Sequence, residues 1–166
     1  MRQRLEERLL FGMYPQVVAC ESDQEKRKHL QSIKNGHLLK DLLAENMLKD
    51  AGFVLDLLRL LAFQIGHNVS HTELAQNLQV NTRTVSRYLD LLEKIFVIFH
   101  VRGYGRNLRK EINKTQRYYF WDNGIRNVVI SNFNTIKNRQ DTGQLWENFC
   151  ISERKKYLHY NEIYAN

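Results

Sequence analysis

Residues 70–94, SHTELAQNLQVNTRTVSRYLDLLEK, decide how this chain is read. Ser70 followed three residues later by Glu73 opens a capping box, in which the hydroxyl and the carboxylate each take a backbone N–H that the first helical turn leaves unpaired. Leu74, Ala75 and Leu78 then recur at helical spacing, with Ala75 small enough to let a second helix cross closely. Gln79-Val80 turns the chain and offers an apolar plug for the corner. Asn81 suits an N-cap, worth roughly 1 kcal/mol over alanine. It launches a second helix whose Val85, Tyr88, Leu89 and Leu92 fall on one side. The pattern predicts a helix-turn-helix.

The opposite side of the second helix carries Arg83, Ser86, Arg87, Asp90 and Lys94, spaced three, four or seven apart and so forming one solvent stripe. In DNA-binding versions of this motif the amino-terminal residues of the second helix reach base edges in the major groove, where arginine grips guanine O6 and N7 with two bonds. Thr82, Arg83, Ser86 and Arg87 are therefore the candidate DNA-binding residues on this helix. The same face has plainer readings, as solvated charge or as a docking face for another protein.

Working outward, Asp50 opens AGFVLDLLRLLAFQIG, whose leucines surround most of the cylinder, which predicts a buried helix closed by Gly66. With the capped pair it makes a three-helix unit, and Asn68-Val69 is short enough for a minimal strand. Downstream the period changes. Residues 96–101, FVIFHV, and 116–121, QRYYFW, are apolar runs rich in β-branched and aromatic residues and read as partnered strands. Between them Arg102, Arg106, Arg109, Lys110, Lys114 and Arg117 face one acid, Glu111, a local +5 within an overall charge of +7. Three helices followed by a hairpin is the winged-helix arrangement, with the wing set along a phosphate backbone. Neutralising about four phosphates would give log K a slope of roughly −4 against log salt. Arg83 and Arg87 would supply specificity, at roughly 1 to 3 kcal/mol per two-pronged contact. The alternative is that the hairpin meets an acidic surface of a neighbouring domain.

The flanks are mostly helical. Arg2 to Leu10 forms a helix ending at Gly12, Tyr14-Pro15 an extended turn, and Asp23 caps a helix running through Leu30 and Ile33 to Gly36. HLLKDLLAENML adds further turns with its leucines inward. Asp122-Asn123-Gly124 reads as a turn before a short helix from Ile125 to Phe133. Asp141, with Gln144, caps a final helix carrying Leu145, Trp146, Phe149, Cys150 and Tyr157 inward, with Glu147, Asn148 and Glu153 elsewhere. The expected class is mainly α with a small β component.

Composition limits the function classes. Among 166 residues, 43% are hydrophobic and 26% charged, an ordinary globular mix, and one proline leaves little room for a disordered linker. The sequence pI near 9.5 favours anionic partners. No apolar run approaches a membrane span, and MRQRLEERLLFG lacks the continuous apolar core of a secretory signal, so a cytoplasmic protein with no membrane partner is expected. Cys20 and Cys150 are isolated, which argues against a disulfide framework or structural zinc. His67 and His71 straddle a loop and a cap near Glu73, so no metal or other cofactor is expected. His100 reads as a hydrogen-bonded core residue, and Ser70 and Ser86 have no histidine or aspartate partner at a recognisable spacing. No GxxxxGK[ST] occurs, so ATP hydrolysis is not expected of this chain alone.

The series LLFGMYPQVV, KDLL, LLAFQIG, the 70–98 block, GRNLRKEINKTQRYYFWDNGIRN and RQDTGQLWENF resembles the C-terminal half of a family of bacterial and archaeal AAA-type ATPases, a half to which no function is attached. The resemblance implies a lid-like helical segment at 1–49, a winged helix at 50–121 and a truncated restriction-endonuclease-like segment at 122–166. It implies an ATPase module in cis or in trans as partner, while an incomplete C-terminal sheet and the basic wing leave a homo-oligomer open. Glu147, or less closely Glu153, matches the glutamate on the first helix of the nuclease-like fold, but the family's metal-binding Asp and Glu-x-Lys strands have no match. One glutamate cannot supply a two-metal phosphodiester site. The expectation is a non-enzymatic, DNA-binding regulatory half. A protein-interaction module that docks on an ATPase domain or self-associates is the alternative, and the remnant of a metal-dependent nuclease a remote third.

Overall fold

Both caps of the central helix pair form in the computed structural model, which describes residues 2–38, 51–102 and 116–163. The helices are α1 (Arg2–Phe11), α2 (Pro15–Val18), α3 (Asp23–Ile33), α4 (Ala51–Phe63), α5 (His71–Asn77), α6 (Thr82–Lys94), α7 (Asn123–Val129) and α8 (Thr142–Tyr160). A π-helical turn, Lys34–Leu38, extends α3, and a 3-10 turn lies at Ile136–Asn138. Strands β1 (Asn68–Val69), β2 (Ile98–Arg102) and β3 (Gln116–Phe120) form a three-stranded sheet in the order β1-β3-β2, antiparallel throughout. The described residues are thus mainly helical with a small β component.

Ser70 Oγ accepts the Glu73 N–H at 3.3 Å, and Asn81 Oδ1 accepts the Thr84 N–H at 2.7 Å. Between them Gln79 takes a left-handed φ of 54°, and the Val80 N–H closes back on the Ala75 carbonyl at 3.0 Å. That Schellman closure satisfies carbonyls the helix end would leave bare, with glutamine in the position glycine usually fills. Val85, Tyr88, Leu89 and Leu92 are buried, on the side their spacing indicates. Helix α6 ends the same way at Phe96, φ 58°, with Val97 N–H on the Leu92 carbonyl. The turn uses up Phe96 and Val97, so β2 starts at Ile98, two residues later than the apolar run predicts. Phe96 is left 65% exposed, its ring against Trp121.

The sheet register pairs His100 with Tyr118 and Val101 with Arg117. Trp121 N–H bonds the Val97 carbonyl at 3.1 Å, so by antiparallel alternation Phe99 and Val101 turn their backbone groups toward β3. Ile98, His100 and Arg102 turn theirs away. Phe120 likewise faces away from β2, and there α8 supplies a substitute strand. Asn148 Oδ1 accepts the Phe120 N–H at 2.8 Å and its amide donates to the Phe120 carbonyl at 3.0 Å.

One apolar cluster draws on all three stretches of the chain: Phe11, Val17 and Leu30 before residue 49, Leu57, Leu61 and Leu89 in the middle, and Ile125 and Val128 after residue 121. Several local expectations change. Helix α3 is capped by Ser22 in a full box with Glu25, not by Asp23. Pro15 occupies the first turn of α2 rather than an extended turn, since its missing N–H is no loss there. Asp122 is the N-cap of α7, which begins at Asn123 and ends at Val129. Asp141 precedes α8 without a side-chain cap bond. That helix turns Leu145, Asn148 and Ser152 inward and leaves Trp146, Cys150 and Tyr157 exposed. The KDLLAENMLKD stretch, residues 40–50, lies outside the described residues. No described helix is long and apolar enough to cross a membrane.

Candidate nucleic-acid interface

Asn81 starts α6 so that Thr82 and Arg83 stand on its first turn and Arg87 one turn later, all three exposed. The Arg87 guanidinium lies 5.3 Å from the Tyr88 ring centroid, which stiffens its stem over an aromatic face. Arg83 has no ion pair among the described residues. The two arginines, with Phe53, Val80 and Tyr88, line a shallow concavity of 490 Å³. Asp90 and Lys94 continue the exposed stripe, but Ser86 does not.

Ser86 is half-buried and bonded to a histidine fifteen residues earlier. Its Oγ lies 3.0 Å from His71 Nδ1, His71 Nε2 lies 2.9 Å from the Tyr118 hydroxyl, and that hydroxyl donates to Gln116 Oε1 at 2.6 Å. Since the Tyr118 proton goes to Gln116, His71 Nε2–H donates to Tyr118, and Nδ1 meets the Ser86 hydroxyl, which can accept as well as donate. Burial lowers the His71 pKa, against partial opposition from Asp90 and Glu93, while burial and the same two carboxylates raise that of Tyr118. Beside this chain His100 Nδ1 meets Glu93 Oε1 at 2.6 Å. Helix α6 is thereby tied to β3 through His71 and to β2 through Glu93, so its orientation relative to the strand pair is fixed by directed bonds. The Ser86–His71 pair has tyrosine where a hydrolase triad holds a carboxylate, and so lacks the group that would orient a general base.

The strand ends carry Arg102 and Arg117, both exposed, and Arg117 Nε donates to Asn68 Oδ1 at 3.2 Å. Arg106, Arg109, Lys110 and Lys114 lie outside the described residues. Of the candidate DNA-binding cations, the described ones fall in two groups, one at the start of α6 and one at the ends of β2 and β3.

Over residues 2–163 the chain matches the family described as Domain of unknown function (DUF8612). It belongs to that family. An uncharacterized protein of Haemophilus influenzae is 26% identical over 125 residues, 72% of this chain and 31% of that protein. Uncharacterized proteins of Mycobacterium bovis and Mycobacterium tuberculosis are each 28% identical over 107 residues, 63% of this chain and 24% of theirs. The chain spans less than a third of the length of these curated relatives. No solved structure matches it.

In this DUF8612 chain Glu147 faces inward. The Tyr119 hydroxyl donates to Glu147 Oε1 at 2.8 Å, and burial together with that carboxylate pushes the tyrosine pKa up to about 12. A Cβ on Gly66 would sit 3.2 Å from the same carboxylate, so Glu147 joins α8 to β3 and to the turn after α4. Among the described residues no group of three or more His, Cys, Asp or Glu could hold a metal ion.

Sequence reasoning missed a buried polar cluster nearby. Arg126, 2% exposed, donates Nε and Nη2 to the Ala62 carbonyl at 3.1 and 2.8 Å, closing the end of α4, and ion-pairs with Asp141. Arg139 grips Asp141 with two bonds of 2.7 Å. Burial alone would raise the Asp141 pKa, but the hydrogen bonds and charges of Arg139 and Arg126 outweigh it and hold it at about 2. The local signal was the run of charge around Asp141, though nothing in it named Arg126 as partner.

Proposed function

We propose that the chain binds duplex DNA as a winged-helix module, with α4, α5 and α6 as the three-helix unit and β2 and β3 as the wing. The observation that carries this is the exposure of Arg83 and Arg87 on successive turns at the amino end of an Asn81-capped helix. Backbone N–H groups and Thr82 at that end suit a phosphate, and the arginines suit base edges. Arg102 and Arg117 at the base of the hairpin, with Arg106, Arg109, Lys110 and Lys114 in its connection, add a sequence-independent phosphate contact. The module corresponds to the non-enzymatic C-terminal half of an AAA-type ATPase, with the ATPase module in cis or in trans and a cytoplasmic location.

The test is fluorescence anisotropy with duplexes selected from a random pool. Affinity should fall with salt at a slope of roughly −4, and Arg83→Ala with Arg87→Ala should cost at least about 30-fold on the selected sequence. Unchanged affinity in the double variant, or no salt dependence, rejects the reading. A nuclease role would require magnesium-dependent cleavage abolished by Glu147→Gln, and the engagement of that carboxylate by Tyr119 does not favour it. A protein-interaction role is favoured by a separate observation, an open groove beside α8.

A further inference from the structure

The sheet face turned away from α6 carries that groove. The side chain of His100 meets Glu93 of α6, so strand alternation sends Phe99 and Val101 to the other face. There Lys155 of α8 stands with Nζ 4.5 Å from the Phe99 ring centroid. Between β2 and the second half of α8 an open groove of 950 Å³ is floored by Phe99, Val101, Ile151 and Leu158. Val101 is 39% and Ile163 48% exposed at its mouth.

Two features narrow what such a groove receives. Arg154 and Lys155 of α8 stand along it, and no carboxylate is among the described residues that line it. Lys155 has the rings of Phe99 and Trp121 beside it but no ion pair among the described residues, and burial lowers its pKa against the opposing charge of Glu93. The charge of the rim therefore calls for an anion. The second feature is β2 itself, an edge strand of the described sheet. The backbone groups of His100 and Arg102 point outward and have no backbone partner among the described residues. Such an edge accepts an extended chain, whose alternate side chains then fall into the groove.

We propose that the groove receives an acidic, extended segment of a partner polypeptide, added as a further strand beside β2, whose alternate, groove-facing positions carry apolar side chains over Ile151 and Leu158 and carboxylates at Arg154 and Lys155. This deepens the protein-interaction reading and is independent of DNA binding, since α6 lies on the other face of the sheet.

The test uses the full chain with Cys20→Ser, which leaves Cys150 in the groove as the one thiol. The probe is a labelled, end-blocked peptide, VTETVTE, whose groove-facing positions are Val and Glu in turn, with VTKTVTK as its basic counterpart. The acidic peptide should bind, weaken with salt and slow alkylation of Cys150, and Arg154→Glu should weaken it while leaving circular dichroism unchanged. Two further peptides carry N-methyl groups on either the Thr amides or the Val and Glu amides. Strand addition uses one set only, so one peptide should lose about 10- to 30-fold, for two edge hydrogen bonds, and the other much less. Failure of the acidic peptide to bind, equal binding of the basic one, no protection of Cys150, or no difference between the methylated peptides overturns the proposal. Protection of Cys150 by duplex DNA instead would assign the groove to nucleic acid and equally overturn it.

Discussion

Replacing Asn148 with alanine tests the joint that holds α8 to the sheet. Asn148 is fully buried, and its side chain is the partner of three groups: the Phe120 N–H at 2.8 Å, the Phe120 carbonyl at 3.0 Å and Asn123 Oδ1 at 2.7 Å. Asn148→Ala removes all three bonds and leaves their partners in a dry site. A buried polar group without its partner costs about 1 to 3 kcal/mol, and water entering the vacated space recovers part of that, so the expected loss is about 3 to 5 kcal/mol. For a chain of this length the melting temperature should fall by roughly 6 to 20 °C. Asn148→Asp sharpens the test. One carboxylate oxygen can still accept the Phe120 N–H, but the other faces the Phe120 carbonyl and Asn123 Oδ1, so only the protonated acid restores a donor. The folded-state pKa of that variant's carboxyl is therefore raised. Its stability is fully present below the unfolded value of about 3.9 and is lost as pH rises through the folded value. Urea titrations of the three proteins at several pH values measure both effects through the midpoint and slope. An alanine variant that loses less than about 1 kcal/mol, or an aspartate variant with the same pH dependence as the parent, would refute the argument that Asn148 serves as a strand substitute.

Two other perturbations separate local from long-range causes. Gly12 has φ +76°, and a Cβ there would fall inside the radius of the buried Asp122 carboxylate, whose Oδ2 is held by Met13 N–H at 2.7 Å and whose Oδ1 is held by Ile125 N–H at 3.2 Å. Gly12→Ala should therefore cost about 2 to 4 kcal/mol by thermal melting, while a loss within the roughly 1 to 2 kcal/mol of the left-handed backbone alone would mean that Asp122 yields freely. Burial depresses the folded-state pKa of His71, so its contribution to stability is present above the unfolded value of about 6.5 and is lost as pH falls through the folded value. His71→Gln should flatten that part of the stability profile. An unaltered profile would remove the imidazole from the link between α6 and β3.

What the sequence determined by itself is what neighbours along the chain decide. Ser70 and Asn81 cap helices because a side-chain oxygen three residues from an N–H needs no tertiary partner, and the inward residues of α6 follow from helical spacing. Asn68-Val69 and the strands near residues 98 and 116 follow from composition. The helix ends were harder, because Gln79 and Phe96 adopt left-handed turns usually left to glycine, and the backbone closure that stabilises them leaves no residue signature. Only the folded chain decided the rest. Helix α8 shows why: counting apolar residues put Trp146, Cys150 and Tyr157 inside, whereas the buried stripe is Leu145, Asn148 and Ser152. A polar residue goes inward when its hydrogen bonds are met there, and the partner of Asn148, Phe120, is 28 residues away. Ser86 with His71 and Arg126 with the Ala62 carbonyl belong to the same class. Periodicity records which side chains avoid water. It carries no record of which distant donor meets which acceptor, and those pairings set how α6, α8 and the sheet stand against one another.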